Sequence, residues 1–564
     1  MNKKSILLSC LLVYATVAHA QRDFTSDPIK VVKTYQPKLI ESLKIPTNPQ
    51  AAPDATNDDR PKMNYAAVTR SINTDFTVEP IQAMKPKSET PNPLKNVFIR
   101  AGFGNYLTPL FDAHYQTGRN SKYELEANAH HISSRGTIEK NVQTDQSYKN
   151  MAYSDNKLGL SGKRIFKQMS VGAGVNYERN NRNFYGYNPL DTNFTTEQST
   201  QTLNRVGVFA KLQGTPTKKG VPSYTLTPSY HLTTNKYQES EQNFNIAANL
   251  FAGFGESHIT IPIIYDYRKY KPNTGFISAQ NNTSLFVLSP KFGMQKERFG
   301  FEVGINTTYQ KLQKNALFVT DSSSFHVFPF AKIGFNVVPE QGLTAFVGID
   351  GGFVQNTFDN LTRRNPFLQN NLDIKNTLIK THIFGGINGK IIENIGYKAQ
   401  IGVKEARNLL FYQNDTTDFR KLNPVYANSG TITEIAFETQ YNPNANLEII
   451  LIGGYKIFKL DSTLRQPYMQ PNLSSNLSVR YNYDQKLYFG AEIFGYSGIK
   501  YLSKTGSTNT LKGVVDLNLT AEYRLKNDLT FFANFNNLAA SNYFRLYNYP
   551  TFGISALVGV TYKF

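Results

Sequence analysis

Eight histidines, a large set of charged side chains and one cysteine, Cys10, are the residues with a claim to chemistry. His130 and His131 are adjacent. In extended chain neighbouring side chains point to opposite faces, so the two imidazoles cannot share a metal ion. His326 and His382 stand singly among alternating apolar residues, with no cysteine, second histidine or carboxylate at a ligand-like spacing along the chain. No metal and no cofactor is expected. Gly102-Phe103-Gly104 and Asp350-Gly351-Gly352 look superficially like phosphate loops, but neither is followed by Lys-Ser or Lys-Thr. Glycine inside strand-like sequence marks a bulge or a close backbone approach instead. A Ser-His-Asp arrangement would have to assemble across strands, and no spacing points to one, so the chain reads as a non-enzyme.

The elements that hold these residues follow from hydropathy. The chain has 564 residues with 34 Tyr and 39 Phe but no Trp, and a mean hydropathy of −0.41. Beyond the first twenty residues no stretch approaches the roughly 18 consecutive apolar residues of a membrane helix. From about Lys95 to Phe564, by contrast, stretches of about ten residues alternate with period two, as transmembrane strands do. Ile554, Ala556, Val558, Val560, Tyr562 and Phe564 share one face. Leu511, Val515, Leu517, Leu519, Ala521, Tyr523 and Leu525 alternate with Lys512, Asp516, Asn518, Thr520, Glu522 and Arg524.

About 22 such segments can be counted, or 20 if the first hairpin is misplaced, because Gly104-Asn105-Tyr106 makes a very tight outer connection. Long linkers, such as 312–323, 358–373 and 405–428, alternate with brief turns such as Gln295–Arg298 and Tyr483–Lys486. The expected fold is all-β: a transmembrane antiparallel β-barrel over 96–564, with long loops outside and short turns in the periplasm.

The front differs. Met1-Asn2-Lys3-Lys4, an apolar run from Ile6 to Ala18, and Ala18-His19-Ala20 form a signal peptide over 1–20, cleaved before Gln21. Residues 21–95 are Pro-rich and polar, and read as a mostly irregular periplasmic segment, a docking arm or partial lumen filler. Export also decides the use of the net charge of +19: contact with anionic outer-membrane lipid and lipopolysaccharide, and not with nucleic acid.

Leu529-Thr-Phe-Phe-Ala-Asn-Phe-Asn-Asn-Leu538, and the last strand ending Thr-Tyr-Lys-Phe564, resemble the final two strands of TonB-dependent outer-membrane receptors and of Bacteroidota barrels. The resemblance implies that Val558, Val560, Tyr562 and Phe564 are the signal read by the barrel-assembly machinery. A barrel of about 22 strands suits the plugged transporters. The front departs from that family. Some 75 residues separate Gln21 from the first strand, too few for the family's plug domain, and Ile29-Lys-Val-Val-Lys33 matches its energising box only loosely.

If each apolar face meets lipid, the lumen receives Arg100, Glu124, Glu126, Lys211, Glu302, Lys332, Lys398, Lys404, Glu434, Glu438, Arg480, Glu492, Asp516, Glu522 and Arg524. Charges of both signs can line a pore or pair across strands. The expected function is receptor-like or porin-like solute passage or binding across the cell outer membrane. The alternative is a non-transporting scaffold in an outer-membrane assembly or secretion complex, met by its protein partner through 21–95.

Overall fold

The computed structural model describes residues 95–564 apart from 119–121, 140, 142–146, 188–198, 215–220, 274–279, 316–318, 340–341 and 416. The expected signal peptide and almost all of the Pro-rich segment therefore lie outside the described residues. Twenty-three strand segments join one antiparallel sheet. Gln280–Leu288 and Lys291–Lys296 are two halves of one wall strand, interrupted at Ser289-Pro290 and paired on both sides with the same neighbours. The wall is thus a closed barrel of 22 strands.

Closure is made by the first and last strands, Val97–Gly104 and Ser555–Lys563. They pair from Phe98 opposite Lys563 to Gly104 opposite Leu557. Val97 and Phe564 then exchange backbone hydrogen bonds at 2.8 and 3.0 Å. Both ends of the described chain share one rim, where Lys95 lies 2.7 Å from Asp528. The turns on that rim are short: Gly255-Glu256, where Gly255 takes a φ of +63°, Glu297-Arg298, Glu393-Asn394 and Asn527-Asp528. The long connections lie at the opposite, outer end.

Alternation decides what each face meets. On Thr377–Ile392, Ile383 is 54% exposed toward lipid while its neighbour His382 is 2% exposed toward the lumen. Val558, Val560, Tyr562 and Phe564 all lie on the exposed outward face. Gly102 and Gly559 stand directly opposite each other at the closing seam, facing inward. Their missing side chains leave room for the Phe532 ring, on which the Arg100 guanidinium lies at 3.8 Å.

Several linker boundaries move. The expected loop 405–428 is largely strand, continuing to Asn414 and resuming at Leu422; strand likewise reaches Asn315 and resumes at Val319. At these outer ends the loops pack on both faces, with Phe411 buried on one side and Tyr412 and Leu422 on the other, so apolar residues no longer alternate with polar ones while the backbone ladder continues. Leu511 and Lys512 precede their strand, which starts at Val514, and Leu511 is buried among the outer loops. The stretch 358–373 contains a helix, Phe358–Arg364. The tight first outer turn is present, with left-handed backbone at Tyr106 and Leu107 and with Asn105 bonded to Ile554 and Ala556.

A Cβ at Gly559 would collide with the Ala101 carbonyl and the Phe532 ring, whereas one at Gly334 meets only ordinary contacts at 3.7 Å or beyond. Gly559→Ala is expected to cost about 1–3 kcal/mol through overpacking at the seam. Gly334→Ala should stay within about 0.5 kcal/mol of wild type. Urea titration of both variants in lipid vesicles, read by heat-modifiable electrophoretic mobility, checks the difference.

Candidate functional site: a polar lumen under a loop cap

Inward side chains form a continuous polar ladder. Arg100, Asp112, His130, Lys157, Glu178, Arg205, Thr233 and Glu241 are successive cross-strand partners over eight strands. Charge sign mostly alternates along it, as favourable cross-strand pairing requires. His130 meets Asp112 at 2.5 Å, and Arg100 lies 3.8 Å from Glu522. The strands tilt, so the ladder climbs from the closing seam toward the outer loops.

Its upper end holds the connection 355–376. Thr357 caps the helix Phe358–Arg364 by accepting from the Asn360 N–H at 2.9 Å, with Asp359 in the first turn and Arg363 and Arg364 in the last. The first-turn N–H groups of Phe358 and Asp359 donate to the Glu241 carboxylate at 2.7 and 3.1 Å. Arg205 reaches Asp359 at 2.5 Å and the Thr362 hydroxyl at 3.0 Å. Arg363 bridges Glu178 at 2.6 Å and Asp359 at 2.9 Å. Arg268, set by Asp266 at 2.7 Å, donates to the Asn356 carbonyl at 2.8 Å. With Thr233 donating to Asp359 at 3.1 Å, five consecutive wall strands grip one loop.

Apolar packing completes the closure. Phe358 stacks on Tyr270, and Phe367 stacks on Tyr549 at 3.6 Å between ring centres. Tyr185 packs edge-on against Tyr549 and donates to the Pro550 carbonyl at 3.1 Å. The Tyr549 hydroxyl donates to the Arg420 carbonyl. Beside Arg420, the Asp415 carboxylate collects Thr417, Asp418 and Asn423 donors; burial opposes its ionisation, but these hydrogen bonds bring its pKa down to about 2. Leu361 and Leu422 have no exposed surface. The largest buried apolar cluster thus joins 355–376 to the neighbourhoods of 184, 422, 499 and 543–549 at the outer mouth.

The charges expected in the lumen fall into local sets. Lys163 binds Glu124 at 2.8 Å, and Glu126 lies 3.8 Å from His114. Glu302 stands opposite Lys332, and Lys398 opposite Glu438. Glu434 contacts Lys404 and also Lys456 at 3.3 Å. Arg480 binds Glu448 at 2.9 Å, and Glu492 accepts from Asn476 at 2.7 Å. Arg524 lies over the Tyr488 ring, Asp516 accepts from the Leu517 N–H, and Lys211 faces Gly172 across the register. These residues line the wall; the structure does not gather them into one cluster.

The histidines behave as strand geometry requires for His130 and His131: His130 turns inward to Asp112, and His131 turns outward, 2.7 Å from Asn156. His382 is not isolated, because the adjacent strand brings Asp350 to 3.0 Å. That carboxylate is invisible at sequence spacing. The Asp350-Gly351-Gly352 stretch is a bulge packed against Phe328. No group of three metal-ligating side chains occurs among the described residues.

Sequence reading missed Glu178, Arg205, Glu241, Asp266, Arg268, Asp359 and Arg363, the residues that grip the loop. A signal was present: Thr357 before a short Asp359/Arg363 i, i+4 pair inside a supposed linker is a helix start.

No protein-family model matches the chain, and no curated protein matches it by sequence. Solved structures match it in fold. The FrpB iron transporter from Neisseria meningitidis (F3-3 variant) gives a TM-score of 0.67 at 11% identity, covering 84% of this chain and 82% of that one. The siderophore receptor PiuA from Acinetobacter baumannii gives 0.63 at 12% identity, covering 85% and 82%. The copper transporter OprC gives 0.63 at 10% identity, again covering 85% and 82%. At such identities the likeness is one of barrel architecture.

Burial alone would raise the Asp359 carboxyl, but the guanidiniums of Arg363 and Arg205 outweigh it and hold the group below its ordinary value of 3.8. Its ionisation therefore stabilises the docked loop above that value, and the contribution is lost as pH falls through the depressed one. In the folded protein at neutral pH, trypsin should spare Arg363 and Arg364 in wild type and cut there about tenfold faster in Asp359→Asn. Acidification below the ordinary aspartate range should promote pepsin cleavage near Phe358 and Leu361 in wild type, with a smaller acid increment in Asp359→Asn.

Proposed function

We propose that this chain is a receptor-like barrel of the outer membrane that binds or passes a solute, with its outer mouth held shut by its own loops. The observation that carries this reading is the docking of 355–376 on Glu241, Arg205, Glu178 and Arg268 inside a polar-walled barrel. A permanently open porin has no use for such a latch. A regulated path does, because ion pairs and helix-end hydrogen bonds can be exchanged for contacts to an arriving polar ligand. The similar folds whose descriptions name iron, siderophore or copper transport support the solute role. The resemblance of Leu529–Leu538 and the Phe564 strand to TonB-dependent receptors supports a barrel inserted by the assembly machinery.

A second reading has its own support. The cap is packed as a soluble core is, with Tyr148, Leu361 and Leu422 fully enclosed, and undocking it exposes several apolar side chains at about 1.5–3 kcal/mol each. A barrel sealed that firmly also suits a non-transporting subunit of an outer-membrane complex, docked through residues 21–95.

Full-length protein in planar bilayers separates the two. Wild type should show low, flickering conductance, and a variant carrying Arg205→Ala with Glu241→Ala should conduct several-fold more. Silence of both proteins toward ions and solutes contradicts transport. If a stoichiometric membrane partner then co-purifies, and is lost on deleting 21–95, the scaffold reading stands instead.

A further inference from the structure

On the outward face of four neighbouring wall strands, Ser257–Lys271, Gln280–Leu288, Phe299–Asn315 and Val319–Val338, side chains sort by height. Tyr265, Phe286, Tyr309 and Phe325 stand directly opposite one another in register, and all four are exposed. Inward-pointing neighbours on the same strands, Asp266, Arg268, Thr308 and Gln310, are buried, which fixes the outward direction of the aromatic row. Two residues nearer the outer end, Lys311 occupies this outward face opposite Ser284. One further step brings Lys269, Asn282 and Gln313 into register, with Gln242 beside Lys269 and Lys271 just above.

A row of exposed aromatics on a barrel marks the boundary of the lipid. Each two-residue step along a strand rises about 7 Å, and strands lie about 4.8 Å apart, so the lysines stand in the headgroup layer with Lys269 and Lys311 about 12 Å apart. Flexible four-carbon stems let such ammonium groups converge on one headgroup of that size. Lys311 has a competing neighbour in Asp321 at 3.8 Å, but both are about half exposed (49% and 46%), and a pair so wet contributes little. The carboxamides between the lysines both donate and accept, as sugar hydroxyls and amides require.

We propose that this patch binds the phosphorylated sugar headgroup of an outer-leaflet glycolipid. Lys269, Lys271 and Lys311 meet its phosphates, while Gln242, Asn282 and Gln313 meet its sugar hydroxyls and amides. The inference rests on the outer-membrane placement proposed above and on no property of the lumen. It gives part of the +19 net charge a located use.

The test uses purified full-length protein in neutral detergent, titrated with lipid A carrying both phosphates, with the same lipid A dephosphorylated, and with phosphatidylglycerol, read by native mass spectrometry. The combined Lys269→Gln, Lys271→Gln, Lys311→Gln variant should bind phosphorylated lipid A roughly a hundredfold more weakly. The three Lys→Arg replacements should retain binding, and Lys526→Gln at the opposite rim should leave it unchanged. Heat-modifiable mobility verifies that each variant is folded. Equal binding by wild type and the triple Gln variant overturns the proposal, as does equal binding of dephosphorylated lipid A or phosphatidylglycerol. Those results leave the latch reading intact, whereas failure of the wild type to insert into bilayers as β-structure defeats both.

Discussion

The structure depends first on satisfying backbone hydrogen bonds where water is absent. A sheet exposed to lipid cannot leave an edge, because each unpaired N–H or C=O in hydrocarbon costs several kcal/mol. The pairing of Val97–Gly104 with Ser555–Lys563, from residues more than 450 apart in sequence, removes that edge. The other elements inherit its consequences. Outward side chains must be apolar across the lipid, inward ones are released to be polar, and the glycines at the seam admit the Phe532 ring and the Arg100 guanidinium that rests on it.

A polar interior creates a second constraint. Charges on the lumen wall need partners, and most of those seen have one on the adjacent strand, as Lys404 and Lys456 do in Glu434. Toward the outer end the wall ladder takes partners from a loop in addition to those on its strands. Arg205, Glu178 and Glu241 complete their bonding with Asp359, Arg363 and the first-turn amides of the helix. The aromatic cap packs around the same element that the wall holds by ion pairs and hydrogen bonds. In this barrel the chief apolar core is consequently the lid, and the wall itself is covered by lipid.

The barrel was legible because period two is a local signal, and the strand number of about 22 followed from counting it. The tight turn at Asn105 was the point on which the choice between 20 and 22 rested, and the hairpin there is present. Legibility failed where outer loops pack on both faces: the strands to Asn414 and from Leu422, with Phe411 and Tyr412 buried on opposite sides, keep their hydrogen bonds where the hydropathy pattern no longer alternates. The inward direction of Lys404 or Glu522 could be read from alternation, but their partners could not. Contacts such as Asp350 with His382, or Asp359 with Arg205, join residues 32 and 154 apart and exist only once strand order and tilt are set. The helix at Phe358–Arg364, by contrast, carried a local signature.

Residues 355–376 are a structural part of the closed barrel and not a free surface loop. Hydrogen–deuterium exchange on the full-length protein in lipid nanodiscs measures this directly. Amides of Leu361 and Asn365, bonded within the docked helix, are expected to exchange nearly as slowly as those of the wall strand Ser240–Phe254. Exchange there as fast as in the exposed turn Ser503–Ser507 would contradict it.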